Sequence, residues 1–472
     1  MQALYAMGQI RLSETIHFIG IGGAGMSALA RILAGQGVRV TGSDIRESAV
    51  LENLRTQYGV RAVGHHDAEF GKDADLVVFS AAVKADNPEY AAARHGGIPL
   101  ISRAQMLGRL MSQYAKSIAV TGTHGKTTTS GMVSSIMLAA GSDPTIVIGG
   151  DLAAIGGNAK LGSSDVFIAE SCEAYGSFLE LSPHLAIITN IEADHLDYYG
   201  DLAGVKKAFR AFLERVTGVA IVCGRDVNIA SITSNKANLP RVLTYNLNDD
   251  ADYSAKDIDH SNGLPSYTLY VRGKAAGTVQ LAVPGHHNVA NSVAAAAAAL
   301  ELGVDFSAVA AGLGEFRGTG RRFEHLGVSE SGVTVVDDYA HHPTEIQATL
   351  SAARSLYPNR YIVAAFQPHL PSRTRDFLEE FANSFGLADH VVLTDIYLAR
   401  EKPLDGVTGA GLAALTAGHR GSEHVTYVAD PKALPERLQR LTKPGYLLLT
   451  LGAGDEIRKA AEAFVAAPEV SR

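Results

Sequence analysis

Short apolar stretches rich in β-branched residues alternate with longer segments that mix apolar and polar positions along most of the chain. In the first part of the chain, these patterns predict strands at 16–19, 38–41, 76–80 and 98–101, and helices at 28–36, 51–58, 88–95 and 103–114. Strands that alternate with helices predict a parallel sheet with right-handed crossovers.

The alternation of predicted strands and helices begins again at two later points in the chain. A strand at 117–120 leads into a glycine-rich turn and a helix to 140, and a strand at 333–336 opens the last part of the chain. Further strands are predicted at 166–169, 186–189, 219–222, 361–366, 390–394, 425–428 and 446–451, with a β meander at 249–283 and an alanine-rich helix at 288–302. We therefore predict three α/β domains, at 1–113, 114–318 and 319–472. Four glycines between 312 and 320 predict a hinge at the second boundary.

Composition narrows the class of protein. A chain of 472 residues has room for about three domains. Hydrophobic residues make up 46% and charged residues 19%, which excludes global disorder. The net charge is −8 and no run is rich in Lys or Arg, so we expect no nucleic-acid partner.

Cysteine content and hydropathy indicate the cellular compartment in which we expect the protein. Cys172 and Cys223 alone make neither a disulfide framework nor a zinc site. No apolar run reaches the roughly 18 residues of a membrane helix, and the first twenty residues lack a basic segment ahead of an apolar stretch. We predict a cytoplasmic protein without a membrane partner and leave open whether it is a monomer or a homodimer.

A glycine-rich turn follows the predicted strand at 117–120 and opens a helix. Its residues are Gly122, Thr123, His124, Gly125, Lys126, Thr127 and Thr128. Such a turn directs backbone N–H groups and a helix N-terminus at a phosphate. Lys126 would bridge the outer phosphates, and the hydroxyl of Thr127 would hold Mg²⁺. The first glycine of the usual eight-residue pattern is replaced by Ala119.

Acidic residues follow two other predicted strands. Glu170 ends the apolar run 166–169, where a nucleotide-hydrolysing site needs a carboxylate for Mg²⁺. Glu192 and His195 lie just beyond the strand at 186–189. We interpret them as parts of the same site as the turn.

A second glycine-rich loop follows the first strand. It contains Gly20, Gly22, Gly23 and Gly25, and Asp44 ends the next strand 24 residues after Gly20. This pattern is typical of a dinucleotide fingerprint, although it also fits any nucleoside diphosphate. A chain with both loops binds two nucleotides, or one nucleotide and a nucleotide-linked substrate.

Seven motifs occur in order along the chain. They are G-I-G-G-A-G-M-S at 20–27, G-T-H-G-K-T-T-T at 122–129, N-I-E-A-D-H-L-D at 190–197, G-H-H-N-V-A-N at 285–291, R-R-F-E at 321–324, D-D-Y-A-H-H-P-T-E at 337–345 and L-G-A-G-D at 451–455. With this set of motifs the chain resembles the Mur ligases over its whole length.

The resemblance implies ATP-dependent amide formation. The lactyl carboxylate of UDP-N-acetylmuramate would attack the γ-phosphate to give an acyl phosphate, and L-alanine would displace phosphate through a tetrahedral intermediate. This is the first peptide-adding step of peptidoglycan precursor synthesis. The resemblance further implies a Rossmann-like first domain that would hold the UDP part and a P-loop ATPase-like second domain that would hold ATP with Mg²⁺. The third domain, again Rossmann-like, would close over both and bring the amino acid.

The resemblance also assigns roles to residues at matching motif positions. The implied catalytic residues are Lys126, Glu170, His195 and Arg373, and the implied metal ligands are Thr127, Glu170 and His195. The seven turn residues, His287, Asn291, Arg321 and Asp338 would bind ATP. The other substrates would contact Gly20, Gly22, Gly23, Gly25, Met26, Ser27, Asp44, His65, Ser80, Glu192, Tyr339, His341 and Arg373.

The chain departs from the family pattern at three places. Leu370 replaces an arginine that the family commonly carries, and Arg375 is a candidate substitute. The run C-E-A-Y at 172–175 replaces D-E-S-D, and the loop at 79–82 has one serine where two are usual. We expect no carbamylated lysine at the second metal.

Three alternative functions are compatible with parts of the sequence. A ligase of the same family joins the same sugar nucleotide to a preformed tripeptide, but the form of the 20–27 loop favours addition of a single alanine. The same loop alone would fit an NAD-dependent dehydrogenase, which leaves Lys126, Glu170 and His195 without a role. A non-catalytic ATP switch would show no turnover that depends on both substrates.

Overall fold

The computed structural model describes residues 10–399 and 401–467. Three sheets with helices packed on them confirm the predicted α/β class. Residues 1–9, part of the stretch in which we expect no secretory signal, lie outside the described residues. The chain divides into two compact units: the first covers residues up to 257, 267–279 and 290–316, and the second covers 258–266, 280–289 and 317 onward.

The first sheet is parallel throughout, as predicted. Its strands are β1 (Thr15–Ile19), β2 (Arg39–Ser43), β3 (Arg61–Val63), β4 (Leu76–Phe79) and β5 (Leu100–Ser102), in the order β3-β2-β1-β4-β5. Its helices are α1 (Ala24–Gly35), α2 (Ala49–Tyr58), α3 (Pro88–His95) and α4 (Arg103–Met111). Because the strand order reverses between β1 and β4, the loops after these two strands face one crevice.

The second sheet has ten strands and carries the central part of the chain. They are β6 (Lys116–Thr121), β7 (Thr145–Leu152), β8 (Gly157–Lys160), β9 (Val166–Glu170), β10 (Leu185–Ile188), β11 (Val219–Cys223), β12 (Arg241–Leu247), β13 (Tyr253–Asp259), β14 (Ser266–Val271) and β15 (Lys274–Gln280). The order is β15-β14-β13-β12-β11-β10-β6-β9-β7-β8. Strand β6 pairs in parallel with both β9 and β10, so the carboxyl ends of these three strands meet at one edge.

Six helices accompany the second sheet. They are α5 (Lys126–Ala139), α6 (Leu196–Tyr199), α7 (Leu202–Leu213), α8 (Val227–Thr233), α9 (His286–Glu301) and α10 (Phe306–Glu315). Helix α10 packs against α5, and a Cβ on Gly312 would lie 2.5 Å from the Cα of Ile136. The predicted hinge at 312–320 is therefore wrong at its start, because Gly312 is used for close helix packing rather than for flexibility.

The third sheet belongs to the last part of the chain. Its strands are β16 (Glu324–Val328), β17 (Thr334–Asp338), β18 (Ile362–Phe366), β19 (His390–Thr394), β20 (Val425–Val428) and β21 (Leu447–Leu451), in the order β16-β17-β21-β18-β19-β20. All pairs are parallel except β16 with β17. The helices are α11 (Pro343–Leu356), α12 (Pro371–Asp376), α13 (Leu378–Asn383), α14 (Gly409–Arg420), α15 (Leu434–Leu441) and α16 (Asp455–Ala466).

One apolar core runs through the first unit. It joins residues under the first sheet, such as Phe18 and Leu33, to residues of the second sheet, such as Phe167. Helix α1 packs against β7 and β8, where the side-chain amide of Asn158 donates to the carbonyl of Ala24 at 3.3 Å. The start of α1 is thus held by the second sheet as well as by its own. Within the described residues no helix combines the length and hydropathy needed to span a membrane.

Candidate active site

The glycine-rich turn at 122–128 joins β6 to α5. Gly122 and Gly125 have φ values of 132° and 81°. A Cβ on Gly122 would lie 2.1 Å from Oγ1 of Thr189, and one on Gly125 would lie 2.7 Å from Oδ1 of Asn291. Both conformation and close packing therefore require glycine at these positions. Helix α5 begins after Gly125 without a side-chain cap, so its first N–H groups can face a phosphate.

The ammonium group of Lys126 is held within this turn. Its Nζ donates to the carbonyls of Gly122 at 2.5 Å and Thr123 at 2.9 Å, and it lies 2.9 Å from Oε2 of Glu173. Burial lowers the pKa of Lys126, but the charge of Glu173, its hydrogen bond to the ammonium group and the further contributions of Cys172 and Glu170 together hold the pKa above its ordinary value. Lys126 is therefore a charged group at neutral pH.

Glu170 connects the turn to the neighbouring strand. Because Glu170 lies opposite Val120 in the β6–β9 pair, its carboxylate reaches the start of α5. Oε1 accepts the hydroxyl of Thr127 at 3.0 Å, and Oε2 accepts the N–H of Gly149 at 2.7 Å. A hydroxyl and a carboxylate oxygen are the kind of ligands that Mg²⁺ prefers. Thr127 and Glu170 fit the magnesium site that the resemblance implies.

A second group of ligand atoms lies beside Lys126. One atom from each of Glu173, Asp194 and His195 falls within 4.8 Å of the others. His195 Nε2 lies 4.0 Å from Glu173 and 3.8 Å from Asp194, and the φ of His195 is 53°, an uncommon value for a side-chain-bearing residue. Two carboxylates and an imidazole fit a divalent cation.

The segment that follows β10 supports the turn. The amide side chain of Asn190 accepts the N–H of His124 at 2.8 Å and donates to its carbonyl at 3.1 Å. The N–H of Glu192 donates to the hydroxyl of Thr123 at 2.8 Å, and its carboxylate lies 3.2 Å from Nε2 of His124. The structure thus brings Glu192, His195 and the turn together, while Thr128 lies in the first turn of α5.

The loop after β1 lies against its predicted acidic partner. Gly20 has a φ of 82°, and a Cβ there would lie 3.2 Å from Oγ of Ser80. The N–H of Gly22 donates to the carboxylate of Asp44 at 2.8 Å. The loops after β1, β2 and β4 therefore meet. His65 lies exposed in the loop that follows β3.

Two predicted contact residues of this loop face inward. Helix α1 begins at Ala24, so Met26 and Ser27 belong to its first turn, and each is 2% exposed. Gly23 precedes the helix without a side-chain cap, and Gly25 lies in its first turn. Any contact with a ligand at Met26 or Ser27 is therefore a backbone contact.

The structure adds Arg103, which the sequence analysis missed as a binding residue. A Cβ on Gly25 would lie 3.1 Å from Nη1 of Arg103, so the guanidinium passes over the start of α1. Within the described residues Arg103 has no hydrogen bond or ion pair. A half-buried cation beside a helix N-terminus favours an anionic ligand. Its position in the sequence, just after β5, gives no glycine or motif signal for this role.

The second unit groups four aromatic and basic side chains. The rings of Tyr339 and His341 pack edge to face at 5.2 Å, and His341 packs in the same way on His369 at 5.7 Å. Nη1 of Arg373 lies 3.3 Å from Nδ1 of His369. The structure thus joins three predicted contact residues through His369, which the sequence analysis did not name as a candidate.

Asp338 and Arg321 form several hydrogen bonds within the second unit. Burial raises the pKa of Asp338 to about 6, and its carboxylate accepts the N–H groups of Phe323 at 2.9 Å and Ala340 at 2.8 Å. The guanidinium of Arg321 donates to the carbonyls of Gly452 at 2.7 Å and Gly454 at 2.9 Å. Arg321 therefore fastens the segment before β16 to the segment after β21.

Helix α9 carries two of the residues predicted to bind ATP. His287 is exposed in its first turn, within the second unit. Asn291, in the first unit, is 7% exposed and lies against Gly125 of the turn. Both remain predictions.

The structure shows the surroundings of two residues that depart from the family pattern, Leu370 and Tyr175. Leu370 is 7% exposed and has a φ of 68°, so it is a buried, strained residue before α12. The candidate substitute Arg375 is exposed and pairs with Asp376 at 2.7 Å. Tyr175, where the family has an aspartate, packs against Tyr198 at 5.6 Å beside His195.

Three family models match the chain in succession. They are the Mur ligase family, catalytic domain, over residues 15–115, the Mur ligase middle domain over 120–299, and the Mur ligase, glutamate ligase domain over 321–454. Together they match most of the chain.

Relatives and solved structures agree with these models. The chain is 47% identical over 459 residues to a UDP-N-acetylmuramate–L-alanine ligase of Trichlorobacter lovleyi, covering 96% of this chain and 98% of the relative. A relative of the same name from Geobacter sulfurreducens is 47% identical over 466 residues, covering 97% and 98%. The crystal structure of a UDP-N-acetylmuramate–alanine ligase from Thermotoga maritima is similar with a TM-score of 0.79 and 32% identity, covering 96% and 98%. A murein peptide ligase from Psychrobacter arcticus gives 0.69 and 25%, covering 96% and 100%.

Proposed function

This chain belongs to the Mur ligase family, and from that premise we propose that it joins L-alanine to the lactyl carboxylate of UDP-N-acetylmuramate while ATP becomes ADP and phosphate. The observation that carries the proposal is its similarity, over nearly the whole chain, to relatives that bear the name of that activity. The product would be the first peptide-bearing precursor of peptidoglycan. We propose the cytoplasm as the place of this reaction, because it would consume ATP and a UDP-linked sugar.

In this proposal each of the three predicted domains binds a different part of the substrates. Residues 1–113 bind the UDP end of the sugar nucleotide, 114–318 bind ATP, and 319–472 supply contacts to alanine and the muramyl group. Tyr339, His341 and Arg373 support the last assignment, because they form one connected cluster. Asp338 would meet the ATP ribose, as the resemblance implies.

The chemistry requires positive charge, because a carboxylate must approach a triphosphate. Lys126 offers an ammonium group to the γ-phosphate, and the N–H groups at the start of α5 offer partial positive charge. Thr127 and Glu170 would hold one Mg²⁺, and His195 with Glu173 and Asp194 a second. Bound there, Mg²⁺ would neutralise the phosphates and polarise the transferred group.

Phosphate release with a panel of acceptors tests the proposal. With ATP and UDP-N-acetylmuramate fixed, we expect the fastest release with L-alanine, slower release with glycine or L-serine, and almost none without an amino acid. Mass spectrometry should show the alanyl product. Release with the tripeptide but not with alanine would instead identify a recycling ligase, and ATP turnover that ignores both substrates would refute ligation.

We expect Arg103→Ala to raise the KM for UDP-N-acetylmuramate about tenfold, since a charge-assisted hydrogen bond to the diphosphate contributes ~1.5 kcal/mol. The kcat and the KM for ATP should stay within about twofold of the wild-type values. Steady-state kinetics with each substrate varied in turn provides the measurement. Arg94→Ala is the matched control, because Arg94 is exposed at the far end of α3. Equal KM values for the Arg103 and Arg94 variants would contradict the assignment.

A further inference from the structure

A buried carboxylate beside the first sheet has no part in the chemistry described above. Glu89, the second residue of α3, is 3% exposed. One of its oxygens accepts the N–H of Asp67 at 3.0 Å, and the other accepts the hydroxyl of Ser43 and lies 3.2 Å from Nε2 of His17. Because both oxygens have donors, the carboxylate is fixed in one orientation.

The remaining groups of this cluster are satisfied as well. His17 is fully buried, and its Nδ1 lies 2.8 Å from the hydroxyl of Thr41. Nε2 of the same ring faces Glu89, so both ring nitrogens of His17 have a hydrogen-bond partner. His66 Nδ1 lies 2.9 Å from Oγ of Ser43 and 3.6 Å from Glu89.

Glu89 connects two segments that carry predicted substrate contacts. The carbonyl of Ser43 accepts the N–H groups of Gly20 at 2.8 Å and Ile21 at 2.9 Å, and Asp44 follows directly. On the other side, Asp67 and His66 belong to the same loop as the exposed His65. The carboxylate of Glu89 therefore links the glycine loop and Asp44 to the loop that carries His65.

We propose that Glu89 is a positioning residue for the nucleoside diphosphate end of the substrate. By holding Ser43 and Asp67, it sets the distance between the His65 loop and the Asp44 segment, so that both are arranged before a nucleotide binds. This role rests on the proposed function, because it needs a nucleotide-linked substrate at the first sheet. Preorganised contacts reduce the ordering cost of binding.

A binding assay with UDP separates this role from catalysis. In Glu89→Leu both acceptor oxygens are removed, so the links to Asp67 and Ser43 are lost together. We expect the Kd for UDP, measured by calorimetry, and the KM for UDP-N-acetylmuramate to rise about five- to tenfold. The kcat and the KM for ATP should stay within about twofold of the wild-type values, a split that general destabilisation would not produce.

Ser43→Ala provides the second variant, because it removes the hydroxyl between Glu89 and His66 and leaves a smaller side chain in the same place. The same rise in Kd is expected, and this variant decides the matter if Glu89→Leu does not fold. Thr41→Val is the matched control, since it removes a hydroxyl that is hydrogen-bonded to His17 and not to Glu89. Its Kd for UDP should equal that of the wild type.

The outcomes separate the two proposals. If the wild type binds UDP and the folded variants bind it equally well, the positioning role is overturned and the proposed function stands. A Thr41→Val variant that binds as weakly as Ser43→Ala would also overturn the positioning role. If the wild type binds neither UDP nor UDP-N-acetylmuramate, the proposed function fails, and the positioning role fails with it.

Discussion

Lys126→Ala is expected to lower kcat at least about a thousandfold, which corresponds to a loss of ~4 kcal/mol of transition-state stabilisation. Lys126 is the one lysine or arginine between residues 121 and 128, so no neighbour in the turn can replace its charge. The ammonium lies within the turn, beside two backbone carbonyls and Glu173. In the proposed function the outer phosphates of ATP bind at this turn. Single-turnover formation of ADP measures the chemical step.

The control for this variant is Lys160→Ala. Lys160 is a half-buried lysine of the same unit that pairs with Asp143, and its loss should leave kcat unchanged. Lys126→Ala leaves the carboxylate of Glu173 buried without its cation, so the Tm of each variant should be recorded. A folded Lys126→Ala protein that turns over within tenfold of the wild type would refute the role of the turn.

The second large effect is expected for Glu170→Gln. An amide can still accept from the N–H of Gly149 and donate to the hydroxyl of Thr127, so the local fold should survive. Its missing charge should weaken Mg²⁺ binding. We expect the Mg²⁺ concentration for half-maximal activity to rise at least about tenfold and kcat at saturating Mg²⁺ to fall about a hundredfold, or ~2.7 kcal/mol.

A titration of activity against Mg²⁺ checks this prediction. Glu180→Gln is the matched control, since Glu180 is an exposed carboxylate in the 3-10 helix Ala174–Glu180 of the same unit. Overlapping titration curves for the wild type and both variants would show that Glu170 does not hold the metal.

Local sequence signals explain which elements of the fold were predictable. Helix α3 was predicted at its observed bounds, because Pro88 opens it, Asn87 caps it and Gly96 follows it. Helix α1 begins four residues before its predicted start, since the last glycine of its loop, Gly25, is already helical. Glycine has a low helix propensity, and tertiary packing of the loop overrides it here.

The hairpin of β7 and β8 was not predicted at all. Gly149, Gly150, Gly156 and Gly157 interrupt the alternation that normally marks a strand. The structure gives a physical reason for the first of these glycines: a Cβ on Gly149 would lie 2.5 Å from Oε2 of Glu170. A close approach of this kind depends on two distant segments and leaves no local signal.

The residues of the candidate site likewise divide into those with a local sequence signal and those without one. The 122–128 turn, Glu170 and His195 were predictable, because each follows an apolar strand and parallel strands end at one edge. Arg103 and His369 were missed, because what singles them out is the neighbour that tertiary folding brings to them. The roles of individual residues in binding remain predictions for the experiments above.

The ion pair between Lys126 and Glu173 has a consequence for selectivity among phosphate compounds. A ligand can engage this lysine by competing with a carboxylate that is 2% exposed and already in place. A triphosphate has several negative charges and many acceptor atoms with which to displace Glu173, whereas inorganic phosphate has fewer of both. Glu173 is therefore expected to make Lys126 bind a triphosphate in preference to inorganic phosphate.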